Sequence, residues 1–502
     1  MSAAEDRTII WFDHGLGDCC QLARILDCYT RLGGYRFAIH CPGDKRLVFE
    51  AIGAAWTEKP DRSTYHRWPY HPDYNRPDPL TDGPEQKFWH SLHAPLPPPP
   101  GGMMDFYRTL CAMEPDGRHL LTKAVKEDCR RWLDGLPRPV ILIHGKGTNF
   151  AAAKNLPDQQ YAELVARLLE ETSAGIVLLD WDNRDPYWPH CRVRHLKRHF
   201  GHIDLAHLLG LMCEAGLLIG VDSGPYHFAA FQPDLPVIGY FRSHCPSAVS
   251  LPRRNTAALI GKRWQTAARI RRRRWNLIEC PENDPTVEDL VWCVRRALCG
   301  HRYCRDFGRE LQLAWWIERQ LRPTAENHCR GRSDTFSAAL SRLRGLANPT
   351  IVETGTIRQQ EDWSAGYSTY LFAAYLDGHG SGKLLSIDNN RQACELAQRE
   401  LAAAGWQASW EIIEADSVTH LQQQNNRIDL LYLDSADDPK QIMAELSAAQ
   451  RLLGQQAAVL IDDTTWHRQW SGKGALAVPH LLEQGWSIIT AGYQVLLCKT
   501  TS

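Results

Sequence analysis

Residues 202–241 read HIDLAHLLGLMCEAGLLIGVDSGPYHFAAFQPDLPVIGYF. The apolar spacing predicts a helix near Leu205–Ala215, a buried strand at Gly216–Gly220, and a Pro-led strand at Pro236–Tyr240. Between the strands, Val221-Asp222-Ser223-Gly224-Pro225-Tyr226-His227 turns from strand into helix. Elements alternating in this way predict α/β units on a parallel sheet. The turn offers a hydroxyl, a glycine and exposed N–H groups, a combination that binds anions. It is equally an ordinary helix start, and both readings stand at this point.

The same rhythm runs through most of the chain. A strand at Thr8–Phe12 leads through a Gly-rich turn to a helix from about Cys19 to Leu32, then a strand at Arg36–His40. A second block begins at Val140 (VILIHGKG) and includes the strand Gly175–Asp180 (GIVLLD). A third starts near Pro349, where TIVETG, KLLSID, WEIIEAD, IDLLYLD and AAVLIDD are strand-like runs with acids at or near their ends. Ligands of open α/β sheets sit beyond the carboxyl ends of the strands, so these acids are candidate contacts as well as helix caps. From about Pro60 to Gly102 the pattern gives way to Pro, His and aromatics ending in PLPPPPGG. That stretch reads as a surface excursion, either a functional loop or a disordered insertion. The basic run RIRRRR (269–274) reads as a solvated face or as a site for an anionic substrate, and RPTAENHCRGRSD (322–334) reads as a linker.

Composition narrows the class. At 502 residues the chain allows roughly three folding units of ~150 residues. With 44% hydrophobic and 23% charged residues it matches soluble globular proteins, and a net charge of −1 gives no pull toward nucleic acid or an anionic membrane. MSAAEDRTIIWFD carries acids where a signal peptide would be basic, and no stretch approaches the ~20 apolar residues of a membrane span. The sixteen cysteines are scattered, which suggests reduced thiols and a cytoplasmic location. Cys293, Cys299 and Cys304 lack the spacing of a zinc site.

In the third block, Glu353-Thr354-Gly355-Thr356 follows the first strand and Gly366-Tyr367-Ser368 opens a helix. Glycine lets backbone approach a cofactor closely, and a helix start supplies free N–H groups. Asp388 ends the next strand, where an acid can accept ribose hydroxyls, and Asp416 ends the third, near where an adenine would lie. A Gly-rich turn with a downstream acid also marks NAD-binding folds, although G-x-G-x-x-G is missing here. Asp434, Asp462 and Asp463 then close two further strands. Three carboxylates converging from adjacent strand ends call for a cation such as Mg²⁺, unless they merely cap helices.

This block, about 345–500, resembles the class I S-adenosylmethionine (SAM)-dependent methyltransferases, particularly the metal-dependent, catechol O-methyltransferase-like enzymes. The resemblance implies SAM contacts from Glu353, Gly355, Gly366, Tyr367, Ser368, Asp388, Asp416 and Asp434, and a Mg²⁺ or similar ion on Asp434, Asp462 and Asp463. Two departures stand out. The glycine loop is enlarged by IRQQEDWSA, and the family's general-base lysine, three residues after the first metal Asp, is Asp437 here. Lys440 and His467 are the substitutes that the sequence offers.

Toward the N-terminus, His14-Gly15-Leu16-Gly17-Asp18 forms a strand-to-helix turn, and Lys154 lies in AAAKNLP ahead of a helix beginning near Asp158. A lysine beside helix N–H groups can neutralise a diphosphate. GLGD, KNLP and DSGPYHFAAFQPDLPVIGYF, in this order, resemble glycosyltransferase family 9, the heptosyltransferase-like enzymes. The likeness covers about 7–300 and is weak from 55 to 130. It implies a GT-B pair of Rossmann-like domains, an acceptor domain at 1–135 and a nucleotide-sugar donor domain at 136–322. A linker at 323–347 and a Rossmann-like methyltransferase domain at 348–502 follow. Asp18 would be the general base and Lys154 the diphosphate ligand. Gly15, Gly17, Asp222, Ser223, Gly224 and His227 would line the site of a nucleotide-diphosphate sugar, with no metal in this half.

The expectation is a bifunctional enzyme that transfers a sugar with inversion and O-methylates a glycan or glycoconjugate hydroxyl. The alternative is one active half beside a non-catalytic glycan- or partner-binding module. No nucleic-acid partner and no transmembrane segment are expected; peripheral membrane association and homo-oligomerisation stay open.

Overall fold

The computed structural model describes residues 7–12, 14–58, 66–67, 109–110, 114–147, 151–181, 185–264, 276–300, 303, 306–321, 331–360, 362–363, 367–404, 406, 408–466 and 470–499. The Pro-rich stretch apart from His66–Arg67, the RIRRRR run, Cys304, Gly366 and His467 lie outside them. The chain divides into two compact units, Met1–Gly300 and His301–Ser502. Among the described residues no helix is long and apolar enough to cross a membrane, and the described cysteines are free thiols.

The first unit holds two all-parallel sheets. Strands β1 (Arg7–Trp11), β2 (Arg36–His40), β3 (Ala55–Trp56) and β4 (His66–Arg67) run in the order β3-β2-β1-β4. The second sheet comprises β5 (Val140–His144), β6 (Gly175–Leu178), β7 (Val193–His195), β8 (Leu217–Val221), β9 (Val237–Phe241), β10 (Thr256–Ile260) and β11 (Leu277–Glu279). Its order is β11-β10-β9-β8-β5-β6-β7. VILIH, LLIGV, VIGYF and TAALI are buried at every position, as parallel strands covered on both faces must be.

Helix Leu16–Gly33 starts three residues earlier than its apolar spacing suggested, because Gly15 takes the extended N-cap conformation; Gly34, at φ +67°, ends it. Asp18 therefore sits in the first helical turn. The apolar face of this helix (Leu22, Ile25, Leu26, Tyr29) shares one core with Tyr226, Phe228 and Phe231 of the second sheet's layer. Each such side chain is worth ~1.5–3 kcal/mol on burial. Two polar residues of the same helix cross over as well. Gln21 donates to the Val249 carbonyl at 3.0 Å and Arg24 to the Pro252 carbonyl at 2.7 Å, which fixes the helix start against the second sheet.

The second unit has a single seven-stranded sheet. Its strands are β12 (Thr350–Thr354), β13 (Lys383–Asp388), β14 (Ser409–Glu414), β15 (Ile428–Leu433), β16 (Leu453–Ile461), β19 (Trp486–Ala491) and β20 (Val495–Lys499). A small hairpin, β17 (Thr464–Trp466) and β18 (Trp470–Gly472), lies apart from it. The order is β14-β13-β12-β15-β16-β20-β19, with β20 antiparallel to both neighbours. Only three residues separate β19 from β20, too few for the crossover that a parallel strand requires.

The domain limits differ from those read in the sequence. Helix Phe307–Trp315, assigned to the donor domain, falls in the second unit. The segment 323–347, read as a linker, contains helix Ser333–Leu343. Phe336, Ala339, Leu340 and Leu343 are buried at helical spacing. Polar composition around Arg332 masked that face.

Candidate functional sites

In the first unit the chain order reverses between β5 and β8, whose ends are paired at His144 and Gly220. Such a switch point is where open parallel sheets bind ligands. The Val221–His227 turn leaves β8 here and enters the short helix Gly224–Phe228. Ser223 holds the N-cap position without capping; its hydroxyl lies 2.8 Å from His144 Nδ1. Burial lowers the His144 pKa to about 4, so the imidazole is neutral at pH 7.

Asp222 is buried beside two basic groups. His227 Nε2 lies 2.9 Å from Oδ1, and Lys154 Nζ lies 2.7 Å from Oδ2. Burial pushes the carboxyl pKa upward, but the hydrogen bond from His227 and the charge of Lys154 outweigh it and hold the group at about 2. Lys154 ends the short helix Ala151–Lys154, ahead of helix Asp158–Glu171. Next to it, the Asn155 side chain clamps Gly147 through both its N–H, at 2.8 Å, and its carbonyl, at 3.2 Å.

The GLGD turn of the first sheet meets this cluster directly. A Cβ added at Gly17 would lie 2.8 Å from His227 Cδ2, and one added at Gly224 would lie 3.0 Å from Leu16 Cδ2. The Asp18 carboxylate lies back over Gly15, 3.4 Å from where a Cβ would stand. The structure thus brings Gly17, Asp222, Ser223, Gly224, His227 and Lys154 together, with Asp18 in the adjoining helical turn. His144, Asn155 and the half-buried His244 were missed by sequence reasoning. The HGKG exit of β5 was the legible signal for His144.

In the second unit the order reverses between β12 and β15. Gly355 has φ +90°, and a Cβ there would stand 2.5 Å from the Asp434 carbonyl, so only glycine fits where the two strand exits meet. Glu353 is 1% exposed and its oxygens are taken by the hydroxyls of Ser368, Thr369 (2.7 Å) and Ser386 (2.7 Å). Burial raises its pKa to about 7 against the pull of these hydroxyls. Tyr367, in left-handed backbone at φ +43°, precedes helix Ser368–His379 and donates to Glu400 at 2.8 Å. Asp388 accepts the Thr356 N–H at 3.0 Å and the Asn390 N–H at 2.8 Å. Asp416 N-caps helix Ser417–Gln423 through the Thr419 N–H at 2.8 Å, and its bonds to Thr419 lower its pKa.

Asp434, Asp462 and Asp463 converge, with one oxygen from each within 4.8 Å of the others. None caps a helix. Two side chains that sequence reasoning passed over lie among them. Lys473 Nζ is 2.5 Å from Asp434 Oδ1, 2.9 Å from Asp463 Oδ2 and 3.4 Å from Asp437 Oδ1. Arg332 donates to Asp462 from Nε at 3.1 Å and from a terminal nitrogen at 2.8 Å. Burial and the neighbouring Asp462 charge raise the Asp434 pKa well above the usual range, against the opposing pull of Lys473. Lys440 is exposed and makes no part of this cluster.

The family model described as Glycosyltransferase family 9 (heptosyltransferase) matches residues 113–276, and the one described as Methyltransferase domain matches residues 363–464. The first match lies in the first unit and the second in the second unit, so the chain is similar to a family 9 glycosyltransferase in one part and to a methyltransferase domain in the other. No match was found among curated proteins. Similar solved structures include the family 9 glycosyltransferase from Veillonella parvula, at 12% identity over 58% of this chain and 92% of that one, TM-score 0.34. The heptosyltransferase TibC, solved with ADP-D-beta-D-heptose, is similar at 17% identity over 49% of this chain and 61% of that one, TM-score 0.33. CalS11, a TDP-rhamnose 3'-O-methyltransferase, is similar at 16% identity over 39% of this chain and 97% of that one, TM-score 0.27.

Proposed function

We propose that the chain is a bifunctional glycan-modifying enzyme that transfers a sugar from a nucleotide-diphosphate donor and methylates a hydroxyl of a glycan or glycoconjugate. The observation that carries the first activity is the meeting of two turns from different sheets, Gly17 against His227 and Leu16 against Gly224. That meeting sets Asp18 in the turn beside the Asp222–His227–Lys154 network. Inversion at an anomeric carbon needs a base for the acceptor hydroxyl and a cation for the departing diphosphate. Asp18 takes the first role. Lys154, released in part from Asp222 by an incoming diphosphate, takes the second.

In the second unit, SAM supplies an electrophilic methyl group for in-line transfer to a hydroxyl oxygen. The glycine-only exit at Gly355, the Tyr367–Ser368 helix start and Asp388 at the end of β13 are the residues that would hold it. Glu353 and Asp416 act on the pocket by shaping it: the first ties three hydroxyls across the sheet, and the second fixes a helix start.

Asp18→Asn in the full chain is expected to lower sugar transfer by ~10²–10⁴-fold while SAM binding, measured by calorimetry, stays unchanged. Unchanged sugar transfer in the variant would overturn the role of Asp18. Absence of SAM binding in the parent protein would overturn the methyltransferase reading.

A further inference from the structure

The carboxylate cluster behind β15 and β16 already contains its cations. Both Asp462 oxygens, in a side chain 1% exposed, are held by the fork of Arg332. Asp434 gives one oxygen to Lys473 and the other accepts from the Tyr432 hydroxyl at 3.3 Å. Asp463 gives one oxygen to Lys473, and its other lies 3.6 Å from Arg332. With all three carboxylates ionised, the two cations cut the charge of the cluster from −3 to −1.

Lys473 is built into this place. Its N–H donates to the Asp463 carbonyl at 3.2 Å, and its side chain is 3% exposed. A glycine flanks it on each side. A Cβ at Gly472 would stand 2.1 Å from the Asp463 carbonyl, and one at Gly474 would stand 2.4 Å from Thr464 Cγ2. Only the sequence Gly-Lys-Gly lets the hairpin β17–β18 close tightly enough to deliver the ammonium between Asp434 and Asp463. It also reaches Asp437, the position at which related enzymes are expected to carry a lysine.

A divalent ion fits this arrangement poorly. Mg²⁺ requires oxygens at ~2.0–2.1 Å in near-octahedral array. The Asp434 and Asp463 oxygens that face each other share the ammonium. Displacing it would strand a buried charge, at a cost of several kcal/mol. We propose that Lys473 and Arg332 are the resident cations of this cluster, so that it takes no divalent metal and methyl transfer here proceeds without one. Lys473 is then a positioning residue, fixing Asp434 and Asp463 for the acceptor hydroxyl. The inference rests on the methyltransferase reading for its bearing on methyl transfer, while the cation assignment rests on the cluster itself.

The test is titration of the full-length protein with Mn²⁺ alone, followed by electron paramagnetic resonance. The parent protein is expected to show no saturable site below about 1 mM. SAM binding should be unchanged by EDTA, and methyl transfer should change by less than about twofold. Lys473→Ala opens the position and removes one positive charge, so it is expected to gain one Mn²⁺ site. One tight equivalent of Mn²⁺ on the parent protein would overturn the proposal. So would loss of methyl transfer in EDTA with SAM still bound, or a folded Lys473→Ala variant that gains no site. If Lys473→Ala does not fold, the titration of the parent protein still decides. Failure of SAM to bind would strike the methyltransferase reading and leave the Mn²⁺ result intact.

Discussion

Replacing Asp222 by asparagine removes the charge shared by His227 and Lys154. Burial opposes that carboxylate, yet the His227 bond and the Lys154 charge hold its pKa at about 2, against 3.8 for an unperturbed aspartate. The difference approaches two pH units, or ~2.5 kcal/mol at 1.36 kcal/mol per unit. Because the folded value lies below the unfolded one, this stability is fully present above pH 3.8 and is lost as pH falls through about 2. For a unit of this length, with ~2.1 cal/mol/K of unfolding entropy per residue, ~2.5 kcal/mol corresponds to ~4 °C in Tm. Calorimetric melts at pH 7 and urea unfolding at pH 7, 5 and 3 measure it. The gap between parent and Asp222→Asn should be complete at pH 7 and 5 and roughly half as large at pH 3. A gap absent at pH 7, or one of equal size at pH 7 and pH 3, would refute the reasoning.

Three other outcomes are expected. Gly17→Ala places a methyl 2.8 Å from the His227 ring. It should cost ~1–3 kcal/mol in urea unfolding and weaken nucleotide-sugar binding in calorimetry, the two losses appearing together. Glu353→Gln bears on a carboxyl whose pKa is raised from 4.5 to about 7, chiefly by burial. The parent side chain therefore costs stability increasingly as pH rises from 4.5 through 7, up to ~3 kcal/mol. The variant should gain relative to the parent over that interval in pH-dependent unfolding. Asp416→Ala removes the cap on the Thr419 N–H and should lose ~1 kcal/mol, whereas Asp416→Ser should lose little; equal losses would remove the capping role.

The acids at strand ends were readable because a parallel strand buried on both faces is a continuous apolar run, and the first polar residue after it marks the exit. Asp222, Asp388 and Asp434 were found in this way, and β13 ends at Asp388 as expected. The same logic placed the five strands β12 to β16 of the third block, and made no reading of β19 and β20, whose runs are not closed by an acid. Arg332 and Lys473 were missed for another reason. Each lies in a polar, glycine-containing stretch, CRGRSD or SGKG, whose composition resembles a surface connection.

The amino-acid order by itself determined the α/β class, the succession of two kinds of transferase segment, and the glycines and acids at the strand exits. The class and the strand exits follow from local periodicity and from residues within one turn of each other, whereas the two transferase segments were read from the resemblance of their motifs to known families. Only tertiary structure decided the charge state of the sites. Asp222 meets Lys154, Asp434 meets Lys473 and Asp462 meets Arg332 across wide sequence separations. Whether a buried carboxylate looks for a metal or already has its cation depends on which distant side chain the fold delivers within 3 Å, and no spacing rule along the chain encodes that.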